Sequence, residues 1–258
     1  MIVYLTYFLF PNYAKRIILR SLKRALEGLG GELIGIDEKN IKIKRRKRYR
    51  YSGFIDNKGN LIIVVDPRIL KNSYTMNSLT RHEAVHFYIL SRYGVLTDMM
   101  INLGIEGSFS EAPAYLYELK IQLENGKGDK LDTLMRRIYN YILKYRSINY
   151  LKAIKEAKRI IKEEREYLLM DRRYRRPIIN TLSEYIYYSL GRGKNKIIPR
   201  IMAKSIMDIF YKNVDKYNSL DEALMKTIKE DYLEYRNRVI EEYSKYLTSN
   251  RTKVKTLS

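Results

Sequence analysis

Apolar residues fall at helical spacing in parts of the chain's first hundred residues and along almost all of its second half. Over 13–29, Ile17, Ile18, Leu22, Leu26 and Leu29 form one stripe, with Lys15, Arg16, Arg20, Lys23 and Arg24 around it. That pattern predicts an amphipathic helix closed by Gly30-Gly31. Short β-like runs follow at 32–36, 41–51 (very basic), 52–56 and 61–65. Asn57-Lys58-Gly59-Asn60 between the last two predicts a hairpin turn. Asp66-Pro67 ends the last run, because proline cannot donate to a central ladder. The apolar stretch 1–10 is expected to be a buried strand leading into a helix at Pro11. It is too short for a membrane helix, which needs about 20 residues, and it lacks the basic start and small-residue cleavage site of a leader.

A second helix is predicted from an N-cap at Asn77 or Ser78 to Tyr93, with Gly94 as its stop. Residues 99–103 are apolar, and a further helix runs from near Ser110 to Leu123. Asn125-Gly126-Lys127-Gly128-Asp129 has the composition of a linker. Beyond it only helical patterns occur, over 131–146, 149–170, 177–190, 196–213 and 219–247, before a polar tail from Ser249. The expected fold class is α+β. Residues 1–124 form a mixed catalytic half, 125–130 a linker, and 131–258 an all-α half that either closes a cleft or binds a partner.

Composition narrows the chemistry. With 45% hydrophobic and 31% charged residues, the 258-residue chain is globular rather than disordered. It has no cysteine, which excludes disulfides, thiolate ligands and a cysteine nucleophile. Abundant Lys, Arg, Glu, Ile and Tyr, with Gln122 as the only glutamine, is a hyperthermophile's bias and implies a thermophilic archaeon or one of its genetic elements. No other segment is apolar enough to cross a membrane, and a cytoplasmic location is expected.

The net charge of +21 implies attraction to nucleic acid or another acidic partner, or else a basic surface with no partner. Two clusters are candidate phosphate contacts: Lys44, Arg45, Arg46, Lys47 and Arg48, and Arg172, Arg173, Arg175 and Arg176. Tyr174 among the second set suits stacking on unpaired bases. The competing role for the first set is a charged edge strand that blocks aggregation.

The sharpest signal is His82-Glu83-Ala84-Val85-His86, which holds both of the chain's histidines. Four residues apart on a helix is one turn apart on one face, so the two imidazoles can hold one Zn²⁺ while Glu83 reaches a water on it. Random placement would give this arrangement about once in two thousand tries. A catalytic zinc takes three protein ligands. With no third histidine and no cysteine, the third must be a carboxylate or, less favourably, a tyrosine. Glu106 and Glu111 are the two candidates by position. The chemistry-free alternatives are two histidines on a helix surface, and a glutamate at a helix N-terminus complementing the dipole.

The segment Ser110-Glu111-Ala112-Pro113-Ala114-Tyr115-Leu116-Tyr117-Glu118 resembles the one that supplies the zinc-binding glutamate in gluzincins, the HExxH…E zinc peptidases. The resemblance covers roughly 11–124 and implies a zincin-like order of helix, small sheet, HExxH helix and glutamate helix. It implies one zinc per chain on His82, His86 and Glu111, with Glu83 as general base and a peptide or protein as substrate. Glu106 remains the alternative ligand, with a thermolysin-like spacing. Tyr115 stands where thermolysin-like members carry an aspartate that orients a zinc histidine, so Glu118, Asp98 or Glu106 is expected in that role. No Gly-rich exopeptidase motif precedes HExxH, which points to an endopeptidase. Tyr185, Tyr187 and Tyr188 are candidate oxyanion stabilisers, and 61–65 is expected to be the edge strand that pairs with substrate. The competing function is a basic nucleic-acid-binding protein with a structural or inactive zinc site, or a protease recruited to DNA.

Overall fold

Helix α1, Pro11–Gly28, forms where the apolar stripe predicts it. Proline is favoured at a helix start, where its missing N–H costs nothing. Ala14, Ile18, Leu22, Ala25 and Leu26 are buried. Gly30 adopts φ 67, and the Gly31 N–H donates to Leu26 O at 2.9 Å, capping the exposed end of the helix. The structure, a computed structural model, describes residues 11–31, 37–43, 51–55, 61–66, 73–145, 149–165, 167–190, 196–217 and 219–255. The expected strands over 1–10 and 32–36, the turn over 57–60 and the basic run 44–50 lie outside those residues. The chain divides into two units, Met1–Gly94 and Val95–Ser258.

The first unit carries one sheet of β1 (Ile41–Ile43), β2 (Tyr51–Ile55) and β3 (Leu61–Val65) in the order β1-β3-β2. Before β1, the Asp37 carboxylate accepts from the Lys39 N–H at 2.8 Å and turns the chain into the strand. β2 and β3 pair antiparallel with Ile55 opposite Leu61, as a hairpin requires, and β1 pairs parallel with β3. Two predictions are corrected here. β1 and β2 run in opposite directions along β3, so 41–51 is not one strand. β3 is the central strand, so it is not the edge expected to pair with substrate. Its buried run Ile62-Ile63-Val64-Val65 shows why: continuous apolarity, without alternation, marks a strand covered on both faces. Helix α2, Ser73–Tyr93, packs on α1 and β2. It starts ahead of the predicted cap at Asn77 or Ser78, because Asn77 lies within the helix and accepts from Arg81 Nε at 3.3 Å.

The second unit is built from helices α3 (Val95–Asp98), α4 (Glu111–Asn125), α5 (Asp129–Tyr145), α6 (Tyr150–Glu163), α7 (Arg175–Ser189), α8 (Ile197–Val214), α9 (Leu220–Lys229) and α10 (Tyr232–Lys255). α8 is its core, with Ile198, Met202, Ile206, Met207, Ile209 and Phe210 at 0–1% exposure and α7, α9 and α10 packed around it. Each such buried side chain contributes about 1.5–3 kcal/mol. Of the two longest predicted helices, the first ends early and the second is interrupted, then runs past 247 to Lys255. Residues 149–170 are helical to Glu163, and 219–247 breaks at Glu230 and Asp231. Buried Asn213 explains the second break, since its amide donates to Thr227 Oγ1 (3.0 Å) and Asp231 Oδ2 (2.7 Å).

The predicted linker is a tight helix-to-helix turn inside this unit. Gln122 Oε1 accepts from the Lys130 N–H (2.9 Å) and the Leu131 N–H (3.1 Å), and its amide donates to Asp129 (3.1 Å). The chain's only glutamine thus satisfies the first orphan donors of α5. The architecture is α+β and mostly helical, with one small mixed sheet.

Candidate metal centre

The histidine helix is unlike a surface helix. Met76, Ala84, Val85, Phe87, Tyr88 and Ile89 are buried, and so are Ser78, Thr80, His82 and Glu83. His82 is 7% exposed and Glu83 6%, which removes the reading of two solvated surface histidines. A buried carboxylate beside a buried imidazole carries a desolvation cost that ordinary helix packing would avoid. The helix stops as predicted: Gly94 has φ 81 and its N–H donates to Leu90 O at 3.0 Å.

Helical geometry brings the two imidazoles together, with ring centroids 4.9 Å apart and His82 Nε2 3.1 Å from His86 Nε2. Two nitrogens on one tetrahedral zinc, each about 2.0–2.1 Å from the ion, would stand about 3.3 Å apart. The pair is set close to that separation.

Glu111 is the first residue of α4 and half-buried. Behind it α4 is buried from Ala112 to Ala114 and from Leu116 to Leu123, so its axis is held by packing on several sides. Pro113 sits in the first turn, where a missing N–H is tolerated. His82 and His86, in the first unit, and Glu111, in the second, offer the donor atoms of a group that could hold a metal ion. Two imidazole nitrogens and a carboxylate oxygen are a donor set that zinc accepts, with one position left open.

The remaining candidates fall in several places. Glu106 is exposed. Glu118 is 1% exposed and pairs with Lys130 Nζ at 2.9 Å, while also accepting from Gln122. Asp98, 3% exposed, accepts from Ser108, Ser110 and Tyr232. The Tyr185 hydroxyl bonds Thr133 Oγ1 at 3.1 Å, and its ring lies 4.4 Å from Lys130 Nζ. Burial pushes that phenol above its usual range. Tyr187 and Tyr188 meet each other at 5.9 Å between ring centroids, and Tyr188 is 47% exposed.

The arginine cluster is largely spoken for within the protein. Arg172 pairs with Asp215 (2.5 Å), Arg173 with Asp171 (2.5 Å), and Arg175 with Asp208, which Arg238 also holds. The Arg172–Asp215 and Arg175–Asp208–Arg238 pairings line a cavity of about 560 Å³, together with Lys212. Arg176 instead lines a cavity of about 190 Å³ with Arg137, Asn140, Tyr141, Lys144 and Asn180. Lys44, Arg45, Arg46, Lys47 and Arg48 lie outside the described residues.

Ser108, Ser110, Tyr232 and Tyr235 were not singled out from the sequence. The one local signal was Ser-x-Ser immediately before the glutamate helix; nothing local marks tyrosines more than 120 residues further along. Burial and the adjacent Asp98 carboxylate push the Tyr232 phenol far up, so it stays protonated as a donor. Burial does the same for Tyr235.

The chain matches no protein-family model, and no curated protein and no solved structure matches it.

Proposed function

We propose that the protein is a zinc-dependent metallopeptidase of gluzincin type that cleaves within peptide chains. The observation that carries this is the His82–His86 pair, its ring nitrogens 3.1 Å apart, with Glu83 buried beside the first of them on the same helix. His82, His86 and Glu111 would hold the ion. When bound, zinc lowers the pKa of a coordinated water toward neutrality and polarises a carbonyl. Glu83 takes a proton onto its carboxylate as water oxygen adds to the scissile carbonyl carbon. It then gives that proton to the amide nitrogen as the C–N bond breaks. Holding a general base in a dry site beside the reacting carbon contributes typically 10²–10⁴-fold. The zincin-like order of elements over 11–124 is part of the proposal.

Elemental analysis combined with a casein-cleavage assay tests it. One zinc per chain is expected in the wild type and in Glu83→Gln, which keeps the ligands but loses hydrolysis. Glu111→Ala should lose the metal, whereas exposed Glu106→Ala should keep both metal and activity. A wild type that stays metal-free after reconstitution with zinc sinks the proposal. Metal loss in Glu106→Ala but not in Glu111→Ala moves the third ligand.

A second role rests on a separate observation. The cavity lined by Arg137, Lys144 and Arg176 gathers three cations, one of them paired with Glu184, in a chain of net charge +21. It suits a phosphate of an acidic partner such as nucleic acid, and the salt dependence of oligonucleotide binding tests it.

A further inference from the structure

The ligand glutamate is the first residue of its helix, so its position depends on whatever fixes the peptide before it. Ser110, the N-cap of α4, makes no side-chain cap bond to the helix. Its hydroxyl donates instead to Asp98 Oδ2 at 2.7 Å, and its backbone N–H donates to Asp98 Oδ1 at 2.8 Å. Ser108 Oγ donates to Oδ2 as well, and Tyr232 Oη donates to Oδ1 at 2.6 Å. Each carboxylate oxygen therefore accepts two hydrogen bonds. Asp98 is 3% exposed and Tyr232 0%. The main chain repeats the link: the Phe109 N–H donates to Asp98 O (2.8 Å), the Met100 N–H to Gly107 O (3.0 Å), and Met99 bridges Ser108.

Helix α10 closes the arrangement from far along the chain. Besides Tyr232, Tyr235 Oη donates to Phe109 O at 3.0 Å. Arg236 Nε donates to Thr97 O at 2.7 Å, with its guanidinium 5.3 Å from the centre of the Phe109 ring. Residues 97–98 and 108–110 are thus bound to each other and to α10 by charge-assisted and buried hydrogen bonds, which are the stronger kinds. The loop between them has no freedom to shift without breaking several.

From this network we infer that Asp98, held by Tyr232 of α10, is a positioning residue that fixes the start of α4 and so aims the Glu111 carboxylate for metal binding. This rests on the metal reading of His82, His86 and Glu111. It assigns α10, in the half of the chain without sequence resemblance, a part in the site: it sets the geometry of a ligand without supplying one. Partners that orient a ligand typically change metal affinity 10- to 100-fold when removed.

The test is Zn²⁺ affinity of the full chain by chelator competition at 25 °C, with circular dichroism confirming that each variant is folded. Asp98→Asn replaces one accepting oxygen with a donor and should weaken zinc about 10- to 100-fold. Tyr232→Phe keeps the buried ring, removes one of four donors, and should give a smaller loss in the same direction. Ile206→Ala, in the core of the same unit, should lower Tm yet leave zinc affinity unchanged, separating positioning from general destabilisation. If Asp98→Asn does not fold, Tyr232→Phe carries the comparison. Wild-type affinity in the folded Asp98 or Tyr232 variant, with zinc bound by the wild type, overturns the positioning role alone. No zinc binding by the wild type overturns the metal reading and this inference together.

Discussion

Removing Glu118 should leave a cation stranded in the helical unit. Lys130 is 5% exposed, and its ammonium has Glu118 at 2.9 Å and Asp129 at 3.4 Å, with the Tyr185 ring centre at 4.4 Å. Burial is the largest influence on this ammonium and pulls its pKa down. The charges of Glu118 and Asp129, with the hydrogen bond that Lys130 donates to Glu118, outweigh it and leave the pKa raised. Breaking a buried pair by deleting one partner costs about 3–5 kcal/mol. Because Asp129 and the ring face remain, Glu118→Ala should sit at the lower end, about 3 kcal/mol. At about 2–4 °C per kcal/mol for a unit of this size, Tm should fall by about 6–12 °C. The double variant Glu118→Leu, Lys130→Met removes both charges and should return to within about 1 kcal/mol of wild type.

Differential scanning calorimetry from pH 7 to 11 adds a sign. A raised lysine pKa gives stability that is fully present below the unfolded-state value and is lost as pH rises through the folded one, so the wild type should weaken at the alkaline end. In Glu118→Ala burial acts with less opposition and the pKa falls, so the variant should gain stability as its lysine deprotonates. The gap between the two should therefore shrink with rising pH. A single variant that costs under about 1 kcal/mol, or a gap that widens with pH, would refute the claim that Lys130 is held charged by Glu118.

Gly128 has φ 142, and a Cβ there would come within 2.2–2.7 Å of the Gln122 side chain, so Gly128→Ala should cost more than about 2 kcal/mol in urea unfolding. A loss under about 0.5 kcal/mol would mean that the turn tolerates change as an ordinary linker does. For the acidic-partner role, oligonucleotide affinity should fall steeply with salt, and Arg176→Glu should weaken it and flatten the slope by about one unit. Binding that is insensitive to both would remove that role.

Much of the scaffold could be read one residue window at a time. The stripe Ile18-Leu22-Leu26, the stop at Gly94 and the start of α4 after Ser110 follow from periodicity and helix-end residues, which act within a few positions. The failures share a cause. Residues 41–51 read as one strand because strand propensity does not encode direction. The resemblance makes Leu61–Val65 an edge strand, whereas its unbroken apolar run is a central strand's. Residues 125–129 read as a linker because the signal for a tight turn was not in the turn but in Gln122. The helix over 219–247 broke at Asp231 because buried Asn213, outside any local window, needed its side chain.

Helical spacing alone pairs His82 with His86, since a helix sets residues four apart on one face, and it puts Glu83 beside them. Composition also narrows the third ligand of the proposed metal site, because a chain with two histidines and no cysteine has few other donors. Tertiary structure adds that His82 and Glu83 are buried, that Glu106 is exposed, and that Ser110 and Tyr232 both donate to Asp98 beside the start of α4. The bond from Tyr232 reaches across more than 120 residues of chain, where no local preference operates and the cost of an unsatisfied buried polar group selects the partners.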